Sequence, residues 1–273
     1  MATSSQAQKE ISDRRPKPIV LVIGGHDPSG AGILADIETC AANQCLALTI
    51  VTAVTCQNTR TCEQILKIES GFILQQLDLI LEEFTPDAIK IGLIPSVDLC
   101  VALADYIIKN LNACPVILDP VLKTGRSGTE LVDEKVPEAL TKYLLPLVTI
   151  LTPNGDELLN LARDPSSEKA IAKLLDLGAE AILATDQKDN SSAIINVFSS
   201  RRLQTKIQFI MERYPELSHG TGCTLASALA CGLARGKNIY LSLIQAQQYT
   251  HATVRHAISY DTQQTLPNRF YKL

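Results

Sequence analysis

The chain has 273 residues, long enough for one large α/β domain or two small ones. Hydrophobic residues make up 46% and charged residues 20%, which supplies a sizeable core and excludes general disorder. A formal charge of −4 argues against a chain that grips nucleic acid, and no apolar run approaches the ~18 residues of a membrane span, so a soluble, cytoplasmic protein is expected.

Residues 1–17 are polar, carry Lys9, Arg14, Arg15 and Lys17, and lack the apolar segment of a signal peptide. They read as a frayed leader ahead of a single domain over 18–273. Apolar runs at 19–24, 46–54, 87–91, 115–118, 147–151 and 180–184 read as strands. Helical patterns at 31–43, 71–83, 97–110, 133–144 and 167–177 alternate with them, the rhythm of βαβ units. Residues 193–199 and 202–209 read as a hairpin, and 221–235 and 239–259 as two closing helices. The expected fold class is α/β: a doubly wound, mainly parallel sheet flanked by helices. Eight cysteines include no CxxC pair and fall at no metal-ligand spacing with the four histidines, so they read as core thiols in a reducing compartment. Cys223 is set apart below.

In such a fold the loops after the carboxyl ends of the strands build the ligand site. The first is Gly24-Gly25-His26-Asp27-Pro28-Ser29-Gly30-Ala31-Gly32, whose glycines let backbone N–H groups approach a ligand. It is not a Walker A loop, because Ala31 stands where the lysine must be. A turn followed by a helix cap at Asp27 or Ser29 explains it equally. After the second strand, Thr55-Cys56-Gln57-Asn58 offers amides suited to a heterocycle edge or to capping a turn, and no acid for a dinucleotide ribose. Lys90 lies inside an apolar strand, where a lysine needs a partner. Asp119 follows the fourth strand, and the segment from Lys123 to Gly128 reads as a phosphate-meeting loop or as an ordinary solvated one.

Asn154 and Glu157 open a helix with the spacing of a capping box, and a carboxylate there also suits a water-rich Mg²⁺. The most specific segment is Ser218-His219-Gly220-Thr221-Gly222-Cys223-Thr224, at the start of a helix of small and apolar residues. Glycines at a helix N-terminus make an anion cradle, and Cys223 in the first turn is placed where the helix favours thiolate. A thiolate there takes the proton of an attacking hydroxyl; the rival reading is a buried cysteine at a helix start. His219 reads as structural.

Taken in order, Asp27-Pro28-Ser29-Gly30, Gln57-Asn58-Thr59, Asp119-Pro120-Val121, Thr152-Pro153-Asn154 with Glu157, and His219-Gly220-Thr221-Gly222-Cys223-Thr224 resemble the ribokinase-like superfamily. Within it they resemble the hydroxymethylpyrimidine/phosphomethylpyrimidine kinases of thiamine biosynthesis. The resemblance implies an ATP- and Mg²⁺-dependent kinase acting on hydroxymethylpyrimidine and its phosphate, in a fold that often forms homodimers. It implies catalytic roles for Cys223, Gly220, Thr221 and Gly222. It implies substrate contacts from Gln57, Asp36, Ala31, Gly32 and Gly25. Asn154, Glu157 and Lys123 would meet the nucleotide, and Glu157 and Asp119 the metal. The chain departs from the family in having one glycine between Ser29 and Ala31, and in reading Ala184-Thr185-Asp186-Gln187-Lys188 where many members read Val-Lys-Gly-Gly-His. The rival readings are a pyridoxal or pyridoxine kinase and a non-catalytic pyrimidine-binding relative.

Overall fold

The computed structural model describes residues 16–124, 128–186, 192–202, 204–214, 218–260 and 264–272. Its strands are β1 (Ile19–His26), β2 (Leu46–Gln57), β3 (Cys62–Lys67), β4 (Ala88–Ile91), β5 (Val116–Leu118), β6 (Ile150–Leu151), β7 (Ala181–Ala184), β8 (Ala193–Ser200) and β9 (Thr205–Glu212). They form one sheet in the order β3-β2-β1-β4-β5-β6-β7-β8-β9. Strands from β2 through β7 in that order pair in parallel, while β3, β8 and β9 add antiparallel edges.

The helices are α1 (Gly32–Ala42), α2 (Ser70–Glu83), α3 (Val97–Asn110), α4 (Val136–Ala139), α5 (Gly155–Ala162), α6 (Ser167–Asp176), α7 (Thr221–Ala234) and α8 (Ile239–Arg255). Side chains alternate across a strand, so β1 sends Leu21 and Ile23 into one core and Val20 and Val22 into the other. The first core packs beneath α2 to α6, with Ile73, Leu77, Leu99, Leu103, Leu158 and Leu174. The second packs beneath α1, α7 and α8, with Ile33, Leu225, Leu229, Leu243 and Ala246. Burial on both faces is why the parallel strands read as continuous apolar runs.

Three elements differ from the sequence reading. β2 runs on to Gln57 because it pairs with β3, an edge strand whose half-polar Cys-Glu-Gln-Ile-Leu-Lys carries little apolar pattern. Asn58 closes that hairpin by accepting from Arg60 N–H at 2.7 Å and Thr61 N–H at 3.0 Å, so its side chain serves the turn. The helix expected over 133–144 is one α turn, a π turn (Leu140–Leu144) and a 3₁₀ turn (Leu145–Leu147) containing Pro146. The last helix stops at Arg255, four residues early, and the chain returns through backbone bonds between Ile258 and Leu266 of 2.8 and 3.0 Å. Residues 1–15 of the expected leader lie outside the described residues.

Phe198 on β8 is wholly buried in the second core and meets Tyr240 edge-on, with ring centroids 6.3 Å apart. Phe198→Ala should cost about 3–5 kcal/mol in chemical denaturation; a loss below ~1 kcal/mol would contradict this packing.

Candidate active site

The loop from β1 to α1 is shaped by its glycines, Gly32 above all. Gly32 has φ +54°, and a Cβ there would lie 2.3 Å from the Gly25 carbonyl oxygen. A Cβ on Gly25 would lie 2.8 Å from Leu93. The loop therefore folds back on itself through a backbone bridge between His26 and Gly32, and Ala31 caps α1 without a side-chain bond. Asp27 gathers the loop: its Oδ1 accepts from Ser29 N–H at 2.7 Å and Ser29 Oγ at 2.5 Å. Its Oδ2 meets His219 Nε2 at 2.6 Å and accepts from Gln57 Nε2. Burial opposes ionisation of Asp27, but the bonds from His219 and Ser29 and the His219 charge hold its carboxyl below its ordinary range. His219 thus has the structural part expected of it, joining two segments 192 positions apart.

Beneath this loop lies the Lys90 ammonium, 1% exposed, 3.0 Å from Asp36 Oδ2 and 3.6 Å from Asp119 Oδ2. Burial alone would discharge it, yet the carboxylates of Asp36 and Asp119 more than compensate and hold it charged. Asp36 is wholly buried, and Ser227 Oγ donates to its second oxygen at 2.7 Å. Both Asp36 oxygens thus meet protein groups, Lys90 and Ser227, and Asp36 also lines the first chamber described below.

Cys223 sits in the first turn of α7, where the Gly32 N–H donates to its sulfur. Two helix N-termini, those of α1 and α7, therefore converge on one thiol. The thiolate expected there is not what this environment favours. Burial pushes the thiol well above its ordinary value; Lys90 pulls it down, while Asp119 and Asp36 push it up again. Gly220 takes φ +85° at the cap of α7, and no side chain caps that helix end. A Cβ on Gly220 would lie 2.7 Å from both the Gly30 carbonyl oxygen and Arg269 Nη2. The N–H groups of Thr221, Gly222 and Cys223 are left to an anion.

Arg269, 3% exposed, secures this arrangement from the returning C-terminal segment. It donates to Thr224 Oγ1 at 2.9 Å, to Glu38 at 2.8 Å and to the Gly30 carbonyl at 2.8 Å. Nothing in the local sequence marks it, because all three partners are remote in the chain.

Two chambers meet over this cradle. The first, about 190 Å³, is lined by Gly25, Asp27, Ala31, Gly32, Gln57 and Cys223 among others. The second, about 320 Å³, is lined by Asn196, Leu225, Gln247, Thr250, His251 and Val254 among others. Asn154, Thr185 and Gly222 belong to both walls. In the second chamber Gln247 Nε2 and Thr250 Oγ1 are buried without a hydrogen-bond partner. Sequence reading passed over both, since each looks like one more polar residue of a helix. Of the expected nucleotide-side segment, Thr185 and Asp186 line this chamber; Gln187 and Lys188 lie outside the described residues, as do Gly125, Arg126 and Ser127 of the loop after Lys123.

Asn154 and Glu157 form the expected capping box, with Glu157 accepting from Asn154 N–H at 2.9 Å. Burial pushes the Glu157 carboxyl up to about 8, and the Asp119 charge adds to the effect. Asp119 Oδ2 is buried without a hydrogen-bond partner. No group of three or more His, Cys, Asp or Glu side chains gathers at a metal position among the described residues. Two carboxylates in one chamber wall suit an ion that keeps most of its waters, as Mg²⁺ does beside phosphates. Lys123 lines the first chamber and pairs with Glu130 at 2.6 Å, an exposed pair of little energetic weight.

The family model described as phosphomethylpyrimidine kinase matches residues 27–268. The chain belongs to this family. It is 32% identical over 94% of its length to a hydroxymethylpyrimidine/phosphomethylpyrimidine kinase of Synechococcus elongatus, covering 98% of that protein. It is 31% identical over 90% of its length to the chloroplastic thiamine biosynthetic bifunctional enzyme of Arabidopsis thaliana, spanning about half of that protein, 47%. Among solved structures, an ADP complex of Bacillus subtilis pyridoxal kinase superposes with a TM-score of 0.83 at 25% identity, covering 93% of this chain and 97% of that one. A phosphomethylpyrimidine kinase from Clostridium difficile 630 does so at 0.74 and 26%, covering 87% and 100%. The fold of this kinase is thus ribokinase-like.

Two outcomes test the site. Gly220→Ala adds about 1–2 kcal/mol of backbone strain and a clash with Gly30 and Arg269, so turnover should fall at least ~10-fold; unchanged turnover would remove the cradle from the reaction. A carboxyl held near 8 favours the folded chain while protonated, so its stabilisation is present below the ordinary Glu pKa and lost as pH rises through about 8. In urea titrations without divalent cations, Glu157→Gln should lose less stability than wild type over that range, and parallel curves would contradict the burial of this acid.

Proposed function

We propose that this kinase transfers the terminal phosphoryl group of ATP to the hydroxymethyl group of 4-amino-5-hydroxymethyl-2-methylpyrimidine, and then phosphorylates the monophosphate to the diphosphate. The observation that carries the reading is the convergence on Cys223 of two helix N-termini without side-chain caps, where an amide-lined chamber joins a second, larger one. The pyrimidine occupies the first chamber against Gln57, Ala31, Gly32 and Gly25, with its hydroxyl at Cys223. The nucleotide occupies the second, its base within reach of Gln247 and Thr250 and its phosphates over Gly220, Thr221, Gly222 and Asn154. ATP supplies the phosphoryl group, and Mg²⁺ between Asp119 and Glu157 would neutralise phosphate charge.

The residues of the chain then have distinct tasks. Phosphoryl transfer through a loose transition state asks mainly for alignment and charge neutralisation. The N–H groups at the start of α7 hold the transferred group along the helix axis. Lys90 supplies a fixed positive charge behind it. Cys223, as a thiol, orients the hydroxyl; as its oxygen bonds phosphorus and the bond to the ADP oxygen breaks, the hydroxyl proton passes late to an oxygen of the transferred phosphoryl group. A non-catalytic binder would need neither the open end of α7 nor the two acids, Asp119 and Glu157, in the wall of the first chamber.

A second reading, phosphorylation of pyridoxal, is favoured by the TM-score of 0.83 to the pyridoxal kinase. Turnover of the two alcohols side by side decides: pyridoxal turned over with the pyrimidine untouched would reverse the assignment. A positioning role for Cys223 predicts that Cys223→Ala loses about 100-fold or more in turnover. It also predicts that wild-type kcat stays flat between about pH 6 and 9. If the rare thiolate were the base, kcat would instead climb about tenfold per pH unit across that range.

A further inference from the structure

Gln57 ends β2 with a side-chain amide whose two ends are chemically opposite, one a donor and one an acceptor. Its Nε2 donates to Asp27 Oδ2. Asp27 is 7% exposed, and its carboxylate also takes Ser29 N–H, Ser29 Oγ and His219 Nε2. An ionised carboxylate accepts and never donates, so Asp27 can face only the NH₂ end of Gln57. The flip of an amide is ordinarily ambiguous by shape, and here the charge beside it decides. The Gln57 carbonyl oxygen, to which no described residue donates, is the end that remains for a ligand in the first chamber.

Resting on the pyrimidine reading above, we propose that Asp27 is a specificity-determining residue that acts through Gln57. It holds the amide so that the chamber wall presents an acceptor, the carbonyl oxygen, next to the second N–H of the same NH₂ group. That pair matches a ring with an exocyclic amine beside a bare ring nitrogen, as in a 4-aminopyrimidine. A 4-oxo pyrimidine with a protonated ring nitrogen presents the reverse pattern, which the opposite flip would read. Ser29 and His219 are the supports of this device: they occupy the rest of the carboxylate and keep it from turning toward the ligand itself.

The experiment compares the 4-amino hydroxymethyl alcohol with its 4-oxo counterpart, using calorimetric binding and kcat/KM, in wild type and in Asp27→Asn. Wild type should favour the amino alcohol by at least about 100-fold, since a mismatch leaves buried polar groups unpaired. In Asp27→Asn, whose side chain can face either end of the amide, that preference should fall about tenfold or more. The change should appear mainly in KM and Kd for the amino alcohol, with kcat moved less. Equal loss for both alcohols, with the preference retained, would reduce Asp27 to a structural part and overturn the proposal. So would wild type binding the two alcohols equally, a measurement that stands even where the variant does not fold. Wild type that phosphorylates both pyrimidines equally sinks the orientation device alone. Wild type that phosphorylates pyridoxal and neither pyrimidine sinks the functional reading and this device with it.

Discussion

A single buried ammonium organises the catalytic end of this molecule. Lys90 lies on a central strand of the sheet, and its charge is tolerated only because Asp36 from α1 and Asp119 from the end of β5 approach it at 3.0 and 3.6 Å. Leaving any one of these charges unpaired in that environment would cost several kcal/mol, about 3–5 for a broken buried pair. The pair therefore ties α1 to the centre of the sheet, and Ser227 extends the tie to α7 through Asp36. The two helices whose N-termini form the cradle are thus registered against each other by one electrostatic knot. Gly92 is part of the same constraint, because a Cβ there would lie 2.9 Å from the Lys90 nitrogen.

From that knot the chemistry of the cradle follows. Helix N-termini attract anions, and the Lys90 charge behind them strengthens that field where water is largely excluded. The same burial works against a thiolate at Cys223, since Asp36 and Asp119 bring two negative charges close to the sulfur. The net arrangement suits an anionic phosphoryl group and favours the protonated thiol, which is the basis of the alignment role proposed for Cys223. Arg269 completes the frame from the far end of the chain. It bonds the Gly30 carbonyl and the Thr224 hydroxyl together, so that the first loop and the first turn of α7 move as one body.

Much of this was readable in advance. The apolar runs that became β1, β4, β5, β6 and β7 are buried on both faces and carry their own signal in periodicity and length. The Gly-Thr-Gly-Cys segment and the Asn154–Glu157 box are local patterns, with causes inside one turn of helix, and each stands where its pattern indicates. The edge strand β3 was not readable, because an edge strand with polar residues on both faces has no apolar alternation to betray it. Cys223 illustrates a different limit: the local rule of a cysteine at a helix start points to thiolate, and burial, which no local pattern shows, pushes the thiol up, with Asp119 and Asp36 adding to it against the pull of Lys90.

The sequence by itself determined the layered α/β architecture, the position of the polar segments after the strands, and the residue types that make an anion cradle at the start of α7. Those properties depend on neighbours within a few positions, where backbone geometry and apolar periodicity act. Which side chains answer one another was decided only by the tertiary structure. Asp27 meets Gln57 and His219, Lys90 meets Asp36 and Asp119, and Arg269 meets Gly30, across separations of 29 to 239 positions. Electrostatic and hydrogen-bond energies depend on distances of a few ångströms in space, and no spacing along the chain encodes those distances until the sheet has closed.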